Sequence, residues 1–302
     1  MLLAPSPPIT LPADALISAP SRDVVWVLIN GTYLYRSTDR GTTWQQRPAV
    51  PHSGGGGPPE VSFVDDHQGW AFFGGVPETQ CNGDTAEIWR TTDAGATWQR
   101  VAHILPGSAG YAQCKEGLSF IDPMHGFLGA DDPNRPPTIY RTSDGGLTWS
   151  GSTLPDPPGF VTQGAGITLR AGLVKGFNDT LLLQAWGSQA STDYVFRSTD
   201  GGASWKYLSH AAGANGITTI TFVTATRWLQ IGNDGSGLET TDAGQTWHAY
   251  RCDYQDAAGV ASLLVFGDSQ VGYGTVRGGI HRTVDGGLHW VMIKTPGAYQ
   301  PG

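Results

Sequence analysis

Three observations predict an all-β chain folded as a six-bladed β-propeller of four-stranded antiparallel blades. The phrase S/T-x-D-x-G-x-x-W occurs six times, as STDRGTTW (37–44), TTDAGATW (91–98), TSDGGLTW (142–149), STDGGASW (198–205), TTDAGQTW (240–247) and TVDGGLHW (283–290). Its aspartates, Asp39, Asp93, Asp144, Asp200, Asp242 and Asp285, are spaced by 54, 51, 56, 42 and 43 residues, a period that belongs to propeller blades or other repeat arrays. Composition agrees. With 43 Gly, 20 Pro and only 15% charged residues, the chain suits many short strands joined by turns better than helices.

Each repeat resolves into four short strands. A first strand with its own turn reads VSFVDDHQ (61–68), LSFIDPMH (118–125), ITFVTAT (220–226) and LLVFGDSQ (263–270). A second strand reads VVWVLI (24–29), GWAFFG (69–74), GFLGA (126–130), LLLQAW (181–186), RWLQIG (227–232) and VGYGTV (271–276). A third, YLYR (33–36), EIWR (87–90), TIYR (138–141), YVFR (194–197), GLE (237–239) and GIHR (279–282), runs into the S/T-x-D-x-G turn. There the Asp can accept backbone N–H bonds and Gly supplies a positive φ. The Trp that follows opens the fourth strand and can wedge between sheets. Four strands per period make one blade. Blade one falls within 13–48 and blade six within 260–294, so the ring is expected to close without a large strand exchange. The alternative of seven blades has spare residues only in 150–196. Residues 1–12 read as a linker and 13–302 as one propeller domain.

Together these phrases resemble the Asp-box, or BNR, repeat of sialidase-like β-propellers, over about residues 13–295. The S-F-x-D phrase followed by G-W or G-F is similar to the photosystem II assembly-factor subgroup. The resemblance implies the fold. It leaves function open between hydrolases, receptors and assembly factors, since one fold carries many functions. The N-terminal F/Y-R-I-P motif of sialidases is absent.

The periodic residues read as scaffold. Six of the 11 Trp belong to the phrase, and Trp26, Trp70, Trp228 and Trp89 fall on repeated strands; only Trp186 has no counterpart. Arg36, Arg90, Arg141, Arg197 and Arg282 each precede the Asp by three residues, with Glu239 in the remaining place. Periodic arginines suggest a repeated ion pair, or stacking on Trp.

Recognition is therefore expected on the opposite face, which carries the longer and more varied loops. Candidate binding residues there are Tyr111, Lys115, Glu116, Asp131, Asp132, Arg135, Tyr254, Asp256 and Arg277. Cys81, Cys114 and Cys252 fall in the same loops, and a Cys81–Cys114 disulfide is expected, in keeping with an extracytoplasmic location. The main expectation is a non-enzymatic, monomeric propeller that binds a protein or carbohydrate partner through that face. The alternative is a glycoside hydrolase. Asp131 and Glu116 would then be acid and base about 5 to 9 Å apart, and Arg135, Arg251 and Arg277 a carboxylate clamp. No catalytic residue is assigned and no cofactor is expected. No metal is expected either, because His52, His103 and His210 lack ligand spacing. A formal charge of −8 with 18 Lys plus Arg argues against nucleic acid, and no apolar run is long enough to span a membrane as a helix.

Overall fold

The computed structural model describes residues 9–11, 13–52, 59–74, 86–104, 114–132, 135–162, 169–187, 192–212, 219–232, 234–255, 263–276 and 279–298. Blade 1 comprises β1 (Ala15–Ser18), β2 (Val25–Ile29), β3 (Tyr33–Ser37) and β4 (Gln45–Arg47). Blade 2 comprises β5 (Glu60–Phe63), β6 (Gly69–Gly74), β7 (Ala86–Thr91) and β8 (Gln99–Ile104). Blade 3 comprises β9 (Cys114–Phe120), β10 (Gly126–Asp132), β11 (Arg135–Thr142) and β12 (Ser150–Thr153). Blade 4 comprises β13 (Leu169–Phe177), β14 (Thr180–Gly187), β15 (Thr192–Ser198) and β16 (Lys206–Ala212). Blade 5 comprises β17 (Thr221–Phe222), β18 (Trp228–Ile231), β19 (Ser236–Thr240) and β20 (His248–Arg251). Blade 6 comprises β21 (Leu263–Phe266), β22 (Gly272–Val276), β23 (Gly279–Thr283) and β24 (Val291–Ile293). Every sheet holds four consecutive strands, each antiparallel to the next. The fold is a six-bladed β-propeller. The interval 150–196, where a seventh blade had room, instead carries the long hairpin that opens blade 4.

The repeated turn closes through the same carboxylate frame in all six blades. The hydroxyl two residues before the Asp donates to its Oδ1, at 2.7 to 2.9 Å. The backbone N–H four residues on donates to the same oxygen. A second hydroxyl donates to Oδ2 in five copies, and His289 faces Asp285 in the sixth. These donors hold the six carboxyls below their usual range, outweighing burial, which pushes the other way. Both residues after the Asp take the left-handed conformation, and the second is Gly in every copy, with φ between 72° and 104°.

The core lies between blades. One cluster of buried side chains fills each of the six blade interfaces. Trp26 stacks on Phe63 at 3.8 Å and Trp70 on Phe120 at 3.7 Å, each pair joining one blade to the next. The periodic arginines do both things expected of them: Arg36 pairs with Asp66 at 2.7 Å, and Arg36 and Arg90 lie over the Trp26 and Trp70 rings. They also do a third. Arg141 and Arg282 donate to the carbonyl of the residue after the Asp in the following blade, Gly201 and Arg40. In blade 5, where Glu239 takes the arginine's place, Arg227 pairs with it at 2.7 Å and donates to Gly286 O at 2.8 Å. Ring closure uses the same Arg282–Arg40 contact, the Trp44 Nε1 bond to Lys294 O at 3.1 Å and the Ile9 N bond to Gly297 O at 2.8 Å.

The first strand of each blade faces the axis, where no sheet partner can satisfy its outer N–H and C=O groups. Side-chain hydroxyls do so. Ser18, Ser62 and Ser119 accept from Phe63, Phe120 and Val174 N–H of the following blade, at 2.8 to 2.9 Å, and Thr221 donates to Leu264 O. Replacing Ser62 by Ala leaves the Phe120 N–H without its acceptor in a buried place. We expect a loss of about 1–3 kcal/mol, measured by urea denaturation; an unchanged midpoint and slope would remove the hydroxyl's assigned role.

Candidate functional site

At the face opposite the repeated turns, the strand ends bring charged side chains to the mouth of the axial channel. Glu60 starts β5, Glu116 lies near the start of β9, Asp131 near the end of β10, Arg170 near the start of β13 and Trp186 near the end of β14. Gly117 has a φ of 77°, and a Cβ there would meet Gly172 O at 2.5 Å. That left-handed residue accompanies the register shift between β9 and β10, beside the point where Glu116 meets blade 4.

Arg170 is the hub. It bonds Glu116 at 2.6 Å and Asp131 at 3.2 Å, and its guanidinium lies over the Trp186 ring, 5.8 Å from the centroid. Glu60 accepts from Gly117 N–H at 3.0 Å and Leu118 N–H at 2.6 Å, and Asp131 accepts from Ala171 N–H at 3.2 Å. Asp193 is buried and receives the amides of Gln184 at 3.2 Å and Gln230 at 2.8 Å. Three acids are thus tied to the neighbouring blade by backbone or amide donors.

Burial pushes the Glu60 carboxyl up to about 7 despite its two N–H donors, and nearby Glu116 adds to the rise. Asp131 is raised well above the carboxylate range, first by burial and then by Glu116, with Ala171 N–H and Arg170 acting against this. Asp193 is raised by burial too. Among the described residues the mouth therefore brings together the Arg170 guanidinium, the Trp186 indole face and carboxyls of raised proton affinity.

Of the residues expected on this face, Glu116 and Asp131 are brought together. Lys115 is 7% exposed, on β9. Asp132 ends β10. Arg135 is exposed at the start of β11, and Arg251 is exposed at the end of β20. Tyr254 is fully buried, edge-on to Trp290 at 5.2 Å in the core between blades 5 and 6, so its ring serves packing there. Tyr111, Asp256, Arg277 and Cys81 lie outside the described residues. Arg47 reaches Asp93 O at 3.5 Å and Arg100 pairs with Glu87 at 3.4 Å. Glu60, Arg170, Gln184 and Asp193 were not anticipated.

On the turn face, Asp65, Asp66 and His67 bring three ligand atoms within 4.8 Å of one another. Asp65 there caps its own turn through His67 and Gln68 N–H, and Asp66 pairs with Arg36.

No protein-family model matches the chain. It is 25% identical to xyloglucanase Xgh74A of Acetivibrio thermocellus over 258 residues, covering 61% of this chain and 29% of that protein. It is 33% identical to a Paenibacillus xyloglucanase over 149 residues, covering 41% and 13%. The chain spans less than a third of the length of either relative. Among solved structures, YCF48 from Cyanidioschyzon merolae aligns with a TM-score of 0.54 at 17% identity, over 94% of this chain and 86% of that one. The Hadza microbial sialidase Hz136 aligns with a TM-score of 0.58 at 15% identity, over 90% and 69%. Likeness at these identities shows the architecture alone, that of a six-bladed β-propeller.

Proposed function

We propose that the protein is a non-enzymatic, extracytoplasmic binding propeller that takes a carbohydrate through the face opposite the repeated turns. The observation that carries this reading is Trp186. It is the one tryptophan without a periodic counterpart, it belongs to none of the six interface clusters, and it sits at the channel mouth under Arg170. An indole face beside a fixed guanidinium and carboxylates offers a sugar ring a stacking surface edged by donors and acceptors. Glu60 and Asp131 support binding over hydrolysis, because each already holds a backbone N–H of the next blade. The xyloglucanase relatives support a glycan as the partner class. We also propose the Cys81–Cys114 disulfide. The third cysteine, Cys252, is free.

A glycoside hydrolase is the second reading. The relatives favour it, and a Glu60 carboxyl raised to about 7 has the proton affinity of a general acid. One experiment separates the two: calorimetric titration with xyloglucan and pectic oligosaccharides, alongside an assay for released reducing ends. Binding without release, weakened tenfold or more by Trp186→Ala, supports the binding reading. Release that vanishes in Glu60→Gln replaces it with the hydrolase.

A further inference from the structure

We infer that the axial channel holds a second ligand site, deeper than the mouth, for a small hydroxy-carboxylate whose acid group meets Lys175. The inference does not rest on the glycan reading of the mouth. A cavity of about 660 Å³ runs along the axis, lined by the first strands of all six blades. Blade 5 contributes the shortest of these, the two-residue β17. Lys175, on β13, reaches past it and donates to Phe266 O at the end of β21.

On the other first strands Ser18, Ser62, Ser119 and Thr221 supply neutral hydroxyls to neighbouring backbone. Blade 4 puts a full positive charge among them. Lys175 is enclosed by protein yet keeps accessible surface, as a group facing an internal cavity does. Among the described residues no carboxylate forms an ion pair with its ammonium, which donates to the Phe266 carbonyl. An ammonium has three donors, and an enclosed charge without a counter-ion is costly. An anion in the channel would supply the missing charge.

The far end of the same cavity defines the rest of the ligand. Glu60, Glu116 and Gln184 line it. The Glu116 carboxylate repels a second negative charge, and the side-chain oxygens of all three accept hydrogen bonds from hydroxyls. Arg170 and Lys175 are five residues apart on β13, but the bulge in that strand sets them against Trp186 and Leu182, four residues apart on β14, a rise of roughly 13 Å. A monoanion the size of a sugar acid fits that polarity, with its carboxylate on Lys175 and its hydroxyls toward the acids. A polyanion does not.

The test is calorimetric titration of the whole chain with glucuronate, glucose and inorganic phosphate, together with NMR of the protein carrying [13C]methylated lysines. The chain has four lysines, Lys115, Lys175, Lys206 and Lys294, and Lys175→Arg identifies the relevant signal. We expect glucuronate to bind and glucose not to. Lys175→Met should lose at least tenfold in affinity. The wild-type Lys175 signal should move on titration, a readout that holds even if Lys175→Met fails to fold. Equal affinity in a folded Lys175→Met, a Lys175 signal unmoved at saturation, no binding of glucuronate, or tighter binding of phosphate than of glucuronate would each overturn the proposal.

Discussion

Replacing Trp70 by Ala should lower the melting temperature by roughly 8–12 °C, taking about 2 °C per kcal/mol for a chain of this size. The ring is fully buried between blades 2 and 3, stacked on Phe120 with planes 3° apart, and beneath the Arg90 guanidinium at 5.2 Å. Its Nε1 donates to Gly145 O at 2.9 Å, in the repeated turn of blade 3. Truncation removes all three contacts at once. The cavity alone costs about 3–5 kcal/mol, and the lost stack adds about 1 kcal/mol. The Gly145 carbonyl also loses its donor. Trp186→Ala is the matched control. That ring is half-buried and outside the interface clusters, so its melting temperature should fall by no more than about 3 °C. Scanning calorimetry on both variants decides the point. If the two shifts came out equal, the division between scaffold tryptophans and a ligand-facing one would fail.

That division is partly legible in the sequence. Period is a strong signal because a residue repeated in six equivalent places must satisfy six equivalent environments. The S/T-x-D-x-G turns, the strand-two tryptophans and the arginines before five of the six Asp were readable for this reason. Trp186 stood out by the converse rule, having no counterpart. Residues that occur once give no such signal. Glu60, Arg170 and Lys175 come together only when first strands from different blades meet at the axis. Blade 4 was hardest to read, since LRAGLVKGF lacks the S-F-x-D phrase of its neighbours and its first strand was not identified. Glu239 looked like a lost arginine, whereas Arg227 supplies the same cross-blade bond from the adjacent strand. Tyr254 was misleading for another reason: a loop residue at the end of a blade can turn its ring back into the core, and the sequence shows only the loop.

The dependence of stability on pH should have two limbs, and Glu60 should control the upper one. The six turn aspartates have folded pKa values below their ordinary 3.8, at about 2 for Asp144, Asp242 and Asp285. Their contribution is present above pH 3.8 and is lost as pH falls toward 2. Glu60 has the opposite sign. Its folded pKa is raised from 4.5 to about 7, chiefly by burial, so the native state holds a proton that the unfolded chain has released. Stability therefore falls as pH rises from 4.5 to 7 and levels off above that. A shift of this size amounts to about 2–3 kcal/mol. Asp131 and Asp193, raised by the same cause, extend the decline in the same direction. In Glu60→Gln the side chain stays neutral throughout. One of the two N–H groups of Gly117 and Leu118 then faces an amide NH2 in place of an acceptor, an offset that does not vary with pH. Urea denaturation at pH 4.5, 5.5, 6.5 and 7.5 should show wild type losing about 2–3 kcal/mol more than Glu60→Gln across that range. Every other ionisable group is common to the two proteins, so its contribution cancels in the difference. Parallel curves would mean that Glu60 is ionised in the folded state across this range, its two backbone donors outweighing its burial.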